Sequence, residues 1–275
     1  MNKIKTWLAA ALAAALAAAS LAGPALADDG LKAAIAGSHR SAANSARDSW
    51  RHPYETLAFF GIKPGQTVVE LAPGGGWYTE ILAPYLRPQG KLILGAGVAP
   101  SAPANAQAGV ERLRTRLAAT PALYDKVSIG VFDVARSDMS FAPPASVDLV
   151  LTFRNIHNWV GQGEDKVQAV FNGAFAALKP GGVFGVVEHR LPADRKMDDK
   201  ASTGYVPVAY VVQLAEKAGF KLAASSEVNA NPKDKAEHEN GVWALPPTYT
   251  NKDKDREKYM AIGESDRMTL KFVKP

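Results

Sequence analysis

The sequence predicts an α/β domain built on a doubly wound, mostly parallel sheet of seven strands whose last strand runs antiparallel. Three observations predict it. From Thr67 onward, short apolar runs alternate with segments of helical periodicity, the pattern of strands joined by right-handed helical crossovers. The run Val147–Thr152 is apolar apart from Asp148 and the closing Thr152, as a strand covered on both faces requires. The first strand, Thr67–Leu71, passes directly into Gly74-Gly75-Gly76 and a helical segment, so backbone without side chains meets a helix N-terminus.

The chain opens with Lys3 and Lys5, an apolar run of mostly Ala and Leu from Trp7 to about Ala19, and Ala25-Leu26-Ala27 before Asp28. These are the three regions of a Sec-type signal peptide over residues 1–27, cleaved after Ala27. Export to the periplasm or medium is the expectation. No twin-arginine pair precedes the run, and no second long apolar segment follows it, so no membrane contact is expected after cleavage. Cleavage leaves 30 basic against 27 acidic residues and no Cys. That balance is too even, and too poor in clustered basic residues, for a nucleic-acid partner. A cysteine-free chain needs no oxidative folding outside the cytoplasm.

Residues 28–66 read as helices, with Leu31 and Ile35 on one face and a break at Arg51-His52-Pro53. Gly61 and Pro64-Gly65 lead into the first strand. Trp77–Leu86 is the next helix, with Ile81, Leu82 and Leu86 inward; Lys91–Leu94 is the second strand. Val110, Leu113 and Leu117 mark a helix before the strand Val127–Phe132. After Val147–Thr152 come a helix over Val167–Leu178, a Lys179-Pro180-Gly181-Gly182 turn and the strand Val183–Val187. A helix over Val208–Ala218 stops at Gly219, and Lys221–Ser225 is the sixth strand. Residues 231–258 are charged and read as a surface excursion. Met268–Val273 closes the sheet, with no periodic helix before it to make a parallel crossover.

In such sheets ligands sit at the carboxyl ends of the strands. Glu70 places a carboxylate beside the glycine turn, where it meets either a ligand amine or the turn's own amides. A dinucleotide fingerprint would need a third glycine where Thr79 stands, and no phosphate-reaching lysine makes a P-loop.

The ordered set of motifs resembles the class I S-adenosylmethionine-dependent methyltransferases. Glu70-x-Ala72-x-Gly74-x-Gly76 is similar to their E/D-x-G-x-G-x-G motif. The run Val147-Asp148-Leu149-Val150-Leu151, Leu178-Lys179-Pro180-Gly181-Gly182-Val183 and Ala218-Gly219-Phe220 resemble, in order, the segments around their fourth, fifth and sixth strands. Arg154-Asn155-Ile156-His157-Asn158-Trp159 and the closing Asp266-Arg267 with Lys271–Pro275 look like an exported, methyltransferase-like bacterial group.

The resemblance implies a Rossmann-like fold and S-adenosylmethionine as methyl donor, bound by Glu70, Ala72, Gly74, Gly76 and, on the adenine side, Asp133. It also implies an acidic residue at the end of the second strand for the ribose, where this chain has Ala96. Ala72 replaces a glycine and is tolerated if its φ stays negative. The loop after the fourth strand faces the methyl group in the family. His157 is then the candidate general base, Asn155 and Asn158 orient an acceptor, and Trp159 walls it. Glu188 and His189 end the fifth strand on the same rim and are candidate substrate contacts. His157, Glu188 and His189 lack a recognised ligand spacing, so no metal site is expected.

The leading reading is methyl transfer to a small molecule. The competing reading is a periplasmic binding or accessory protein that kept the fold without the donor, as Ala96 favours. A nicotinamide-linked oxidoreductase fits neither the Lys-Pro-Gly-Gly turn nor the antiparallel ending.

Overall fold

A computed structural model describes residues 28–275, so the signal peptide expected over residues 1–27 lies outside the described residues. Asp28 caps the first helix, α1 (Asp29–Ile35), its carboxylate accepting from the Leu31 N–H at 3.0 Å. The rest of the N-terminal region is three short helices, α2 (Ala42–Ser45), α3 (Asp48–Arg51) and α4 (Pro53–Phe60). His52 adopts a left-handed conformation between α3 and α4, and Pro53 starts α4 where its missing N–H costs nothing.

The sheet then builds through β1 (Thr67–Leu71), α5 (Thr79–Leu86), β2 (Lys91–Gly97), α6 (Ala104–Ala118), α7 (Pro121–Tyr124), β3 (Val127–Val131) and β4 (Val147–Phe153). It continues with α8 (Ile156–Val160), α9 (Glu164–Ala177), β5 (Leu178–His189), α10 (Val208–Ala218), β6 (Lys221–Ser226), α11 (Arg256–Ile262) and β7 (Arg267–Val273). The seven strands lie in the order β3-β2-β1-β4-β5-β7-β6. β7 inserts between β5 and β6 and is antiparallel to both, which is the expected antiparallel ending. The other neighbours pair in parallel.

Alternation along each strand sorts the core into two layers. Val68, Leu92, Leu94, Leu149 and Leu151 pack against α1, α4 and α5. Val69, Leu71, Val150, Phe184 and Val186 face the opposite way, onto α8, α9 and α10. Helices on both faces explain why β4 reads as nearly unbroken apolar sequence.

The short helices α8 and α11 stand where the sequence reading has a loop and no periodic helix, and three further segments depart from expectation. α5 starts at Thr79, with Trp77 and Tyr78 in the turn before it: Trp77 Nε1 donates to the Asn44 carbonyl at 2.9 Å, and Tyr78 stacks on Phe153. β5 begins at Leu178, taking in the Lys-Pro-Gly-Gly turn, since Gly181 and Gly182 exchange backbone hydrogen bonds with Lys274. The segment 231–258 is exposed over much of its length but buries Asp234, Gly241, Val242, Ala244, Leu245 and Pro246. Asp234 accepts from the Tyr205 hydroxyl, His238 Nε2 and the N–H groups of Ala236 and Asp266. These contacts fold the segment back over the sheet's rim, so its charge did not mean solvation throughout.

Candidate active site at the carboxyl rim of the sheet

Register fixes the rim. Leu71 pairs with Gly95 and with Thr152, and Thr152 with Val186. The strand ends therefore align, and the loops after β1, β2, β4 and β5 open on one side.

The glycine turn after β1 borders a cleft of about 600 Å³ lined by Ala72, Pro73, Gly74, Gly95, Ala96, Gly109, Arg112, Leu113, Arg116, Phe132 and Asn155. Gly74 and Gly76 have positive φ, and no atom lies within 4 Å of where a Gly74 side chain would begin. A side chain there would fill space that the cleft leaves free. Arg116 crosses the cleft's edge and donates to the Gly75 carbonyl at 3.1 Å.

The expectation for Ala72 is corrected: its φ is +48°. The bend is held from both sides, since its N–H donates to the Gly95 carbonyl at 2.9 Å and Asn155 Nδ2 donates to its carbonyl at 3.3 Å. Holding an alanine in the left-handed region costs on the order of 1 kcal/mol.

Glu70 is buried and lies outside the cleft lining; its carboxylate accepts from Thr79 Oγ1 at 2.6 Å. Burial pushes the Glu70 carboxyl up to about 7, against the opposing effects of the Thr79 hydroxyl and the Arg116 charge. Asp133 is also buried, and it too does not line the cleft. It caps a turn of 3₁₀ helix at Val134–Arg136 and pairs with the Arg136 guanidinium at 3.0 Å. Phe132 is what the end of the third strand region presents to the cleft. Ala96 stands at the end of β2, and no carboxylate is among the cleft residues.

A second cavity, of about 320 Å³, lies beyond the loop after β4; its lining includes Arg51, Arg154, His157, Asn158, His189 and Trp243. Residues 154–158 thus separate the two spaces and border both: Asn155 the cleft, Arg154, His157 and Asn158 the cavity. Asn155 acts as a brace, donating to the carbonyls of Leu71 and Ala72.

His157 is oriented by Glu188. The fully buried Glu188 carboxylate faces four donors: the N–H groups of Ile156, His157 and His189, and His157 Nδ1 at 3.1 Å. A carboxylate surrounded by donors requires Nδ1 to carry the proton, which leaves Nε2 as the basic nitrogen. Glu188 also caps the first turn of α8. His189 Nδ1 bonds Ser265 Oγ at 2.5 Å. Burial, with the charges of His157 and Arg154 behind it, lowers the His189 pKa well below its ordinary value, so it is neutral. Trp159 corrects another expectation: it lines neither space and packs edge-on against Phe132 in the core, with ring centroids 5.5 Å apart.

The feature that sequence reasoning missed is electrostatic. Glu264 accepts from Arg47 Nε at 2.7 Å, Arg51 Nε at 3.0 Å and Arg267 Nη1 at 3.2 Å, and Arg154 Nη1 stands 3.7 Å away. Burial opposes ionisation of Glu264, but the pull of Arg51, Arg267, Arg154 and Arg47 outweighs it and holds the carboxyl at about 2. Burial, reinforced by the charge of Arg154, lowers Arg51 to about 9. Arg154 also sits at φ +62°, with its N–H tied to the Val187 carbonyl at 2.7 Å. Arg51 forms a buried salt bridge with Glu264 and also lines the cavity. Only Glu264 and Arg267, three residues apart, are neighbours in sequence; Arg47, Arg51 and Arg154 lie more than a hundred residues from Glu264, and no local spacing could have found them.

Neither protein-family models nor curated proteins gave a match to this chain. Solved structures did. An S-adenosylmethionine-dependent methyltransferase from Aquifex aeolicus is 17% identical, with 67% of this chain and 87% of that one covered at a TM-score of 0.50. A candidate sarcosine dimethylglycine methyltransferase from Galdieria sulphuraria is 16% identical, with 84% and 85% covered at 0.52. The [4+2]-cyclase SpnF is 16% identical, with 89% and 91% covered at 0.51. At these identities the likeness concerns architecture, and two of the three neighbours bear methyltransferase names. Seven strands in this order, with an antiparallel β7 and a glycine turn after β1, give the chain the fold of the class I S-adenosylmethionine-dependent methyltransferases.

Proposed function

We propose that the protein is an exported methyltransferase that uses S-adenosylmethionine to methylate a small molecule. The observation that carries this reading is the segment 154–158, which enters α8 and borders the glycine-lined cleft on one side and the His157 cavity on the other. Methyl transfer needs donor and acceptor spaces that adjoin, with the nucleophile aligned.

The cleft fits the donor in volume and in the open turn at Gly74. Gly74 would let the donor approach the backbone, Phe132 offers an apolar surface for its base, and Arg112 and Arg116 offer cationic partners for its carboxylate; Gly76 lies outside the cleft lining, facing Arg116. When bound, S-adenosylmethionine supplies a methyl group activated by its positive sulfur. His157 then removes a proton from an acceptor oxygen or nitrogen through Nε2, while Glu188 stabilises the charge the imidazole gains. Asn155 supports the wall between the two spaces, and Asn158 lines the acceptor side.

The lack of a carboxylate in the cleft favours the second reading, a binding or accessory protein with this fold. Fold alone does not choose between them, as the neighbour named a [4+2]-cyclase illustrates. Calorimetry with S-adenosylmethionine and S-adenosylhomocysteine separates the two. The proposal expects saturable heat with both, and loss of at least tenfold in affinity in Gly74→Asn. Asparagine tolerates the left-handed backbone of Gly74 while filling the space beside it. No heat at millimolar ligand would decide for the second reading. Export is tested separately: N-terminal sequencing of protein recovered outside the cytoplasm should begin at Asp28, and a chain retained from Met1 contradicts it.

A further inference from the structure

We propose that the cavity beneath Trp243 is an oxyanion site, built for a carboxylate or phosphate group, and that this group anchors the acceptor. Assigning the anion to the acceptor rests on the methyl-transfer reading; the anion site itself does not.

Charge is the first argument. Arg47, Arg51, Arg154 and Arg267 surround the single carboxylate of Glu264. One negative charge among four guanidiniums leaves uncompensated positive charge beside a cavity whose walls include Trp243, Pro246 and Pro247. The buried Arg51 and Glu264 side chains bring this charge into a setting of lower dielectric than bulk water, where an anion feels it more strongly.

Unused donors are the second. Arg51 lines the cavity with its side chain only 2% exposed, yet its Nη1 has no hydrogen-bond partner among the described residues. A buried guanidinium N–H left unpaired is a feature that a ligand oxygen would complete. The Arg154 side chain, 23% exposed, makes no hydrogen bond among the described residues, its nearest carboxylate being Glu264 at 3.7 Å. Two planar forks facing one cavity suit a planar or tetrahedral oxyanion.

Backbone conformation is the third. A non-glycine residue in the left-handed region is retained where its surroundings over-determine it, commonly at a ligand site. The strained Arg154 is tied to Val187, and its guanidinium lines the cavity.

A metal ion is the alternative occupant, because His157, Glu188 and His189 bring potential ligand atoms within 4.8 Å of one another. Glu188 already accepts four hydrogen bonds, and His189 Nδ1 is engaged by Ser265. The adjoining guanidiniums repel a cation. The same groups that weaken a metal site strengthen an anion site. Asn158, Thr248 and Ser265 add neutral polar groups to the lining, and about 320 Å³ admits only a small molecule.

The test titrates the protein, without donor, with benzoate, inorganic phosphate and neutral benzamide. Saturable binding of benzoate or phosphate is expected, with no binding of benzamide; the tighter anion distinguishes a carboxylate from a phosphate acceptor. Arg154→Gln should weaken that anion by at least tenfold while thermal unfolding shows the variant folded, because the Arg154 side chain makes no structural hydrogen bond. Gly74→Asn should bind the anion as the wild type does, so a failure of donor binding leaves this result standing. The proposal is overturned if neither anion saturates at millimolar concentration, if benzamide binds equally, or if Arg154→Gln binds like the wild type.

Discussion

Glu70 shows what a single residue contributes at this rim. Its carboxyl, ordinarily near 4.5, is raised to about 7 in the folded protein, chiefly by burial. Between those values the unfolded chain has released a proton that the folded chain keeps, so stability falls as pH rises from about 4.5 to 7 and stays lower above. The difference amounts to about 3 kcal/mol. Glu70→Gln keeps a partner for Thr79 without the titration. Denaturant unfolding should find the variant gaining on the wild type by roughly that amount between pH 5 and pH 8, and a pH-independent difference would contradict the assignment. The carboxylate's position beside the turn was legible in the sequence, because a strand end and a glycine turn are local. Its inward orientation was not, since that depends on Thr79 reaching back from α5. The same holds for Ala72, whose backbone depends on partners in β2 and in the loop after β4.

At the scale of elements, the proposed donor site makes the end of β2 the place that sets how tightly a nucleoside would be held. Ala96 offers no acceptor for ribose hydroxyls, and each charged hydrogen bond of that kind is worth roughly 1.5–3 kcal/mol. Ala96→Asp is therefore expected to tighten S-adenosylhomocysteine by about tenfold or more in calorimetry; unchanged or weaker affinity would show that the ribose does not lie there. Strand and helix identities were legible because apolar periodicity records which face is buried. The start of β5 was not, because the Lys-Pro-Gly-Gly segment becomes part of the sheet by pairing with Lys274 at the other end of the chain. Trp159 was misplaced for a related reason. An aromatic in a functional loop reads the same whether it faces a ligand or, as here, Phe132 in the core.

Over the whole molecule, Glu264 joins the N-terminal helices to the last strand. Its hydrogen bond to Arg51 spans 213 residues, and Arg267 of β7 and Arg154 after β4 meet at the same carboxylate. Glu264→Gln leaves four guanidiniums with no counter-charge, and equilibrium unfolding should register a loss of roughly 3–5 kcal/mol. A loss under about 1 kcal/mol, the range of a surface ion pair, would mean that the cluster is not held together by this residue. Apart from Glu264 and Arg267, three residues apart, the members of this centre are distant in sequence, and for that reason the cavity was less legible than the glycine-lined cleft. The charged segment 231–258 was read by composition, yet Trp243 from it stands edge-on to His157 at 5.8 Å between ring centroids.

The central proposal, that donor and acceptor meet across the segment 154–158 at the start of α8, is tested most directly by a crystal structure of the protein with S-adenosylhomocysteine. Density for the ligand is predicted in the cleft beside Gly74 and Ala96, with its sulfur toward Asn155 and the His157 cavity beyond. A cleft without ligand density at saturating concentration, or a ligand whose sulfur faces away from that segment, would contradict it.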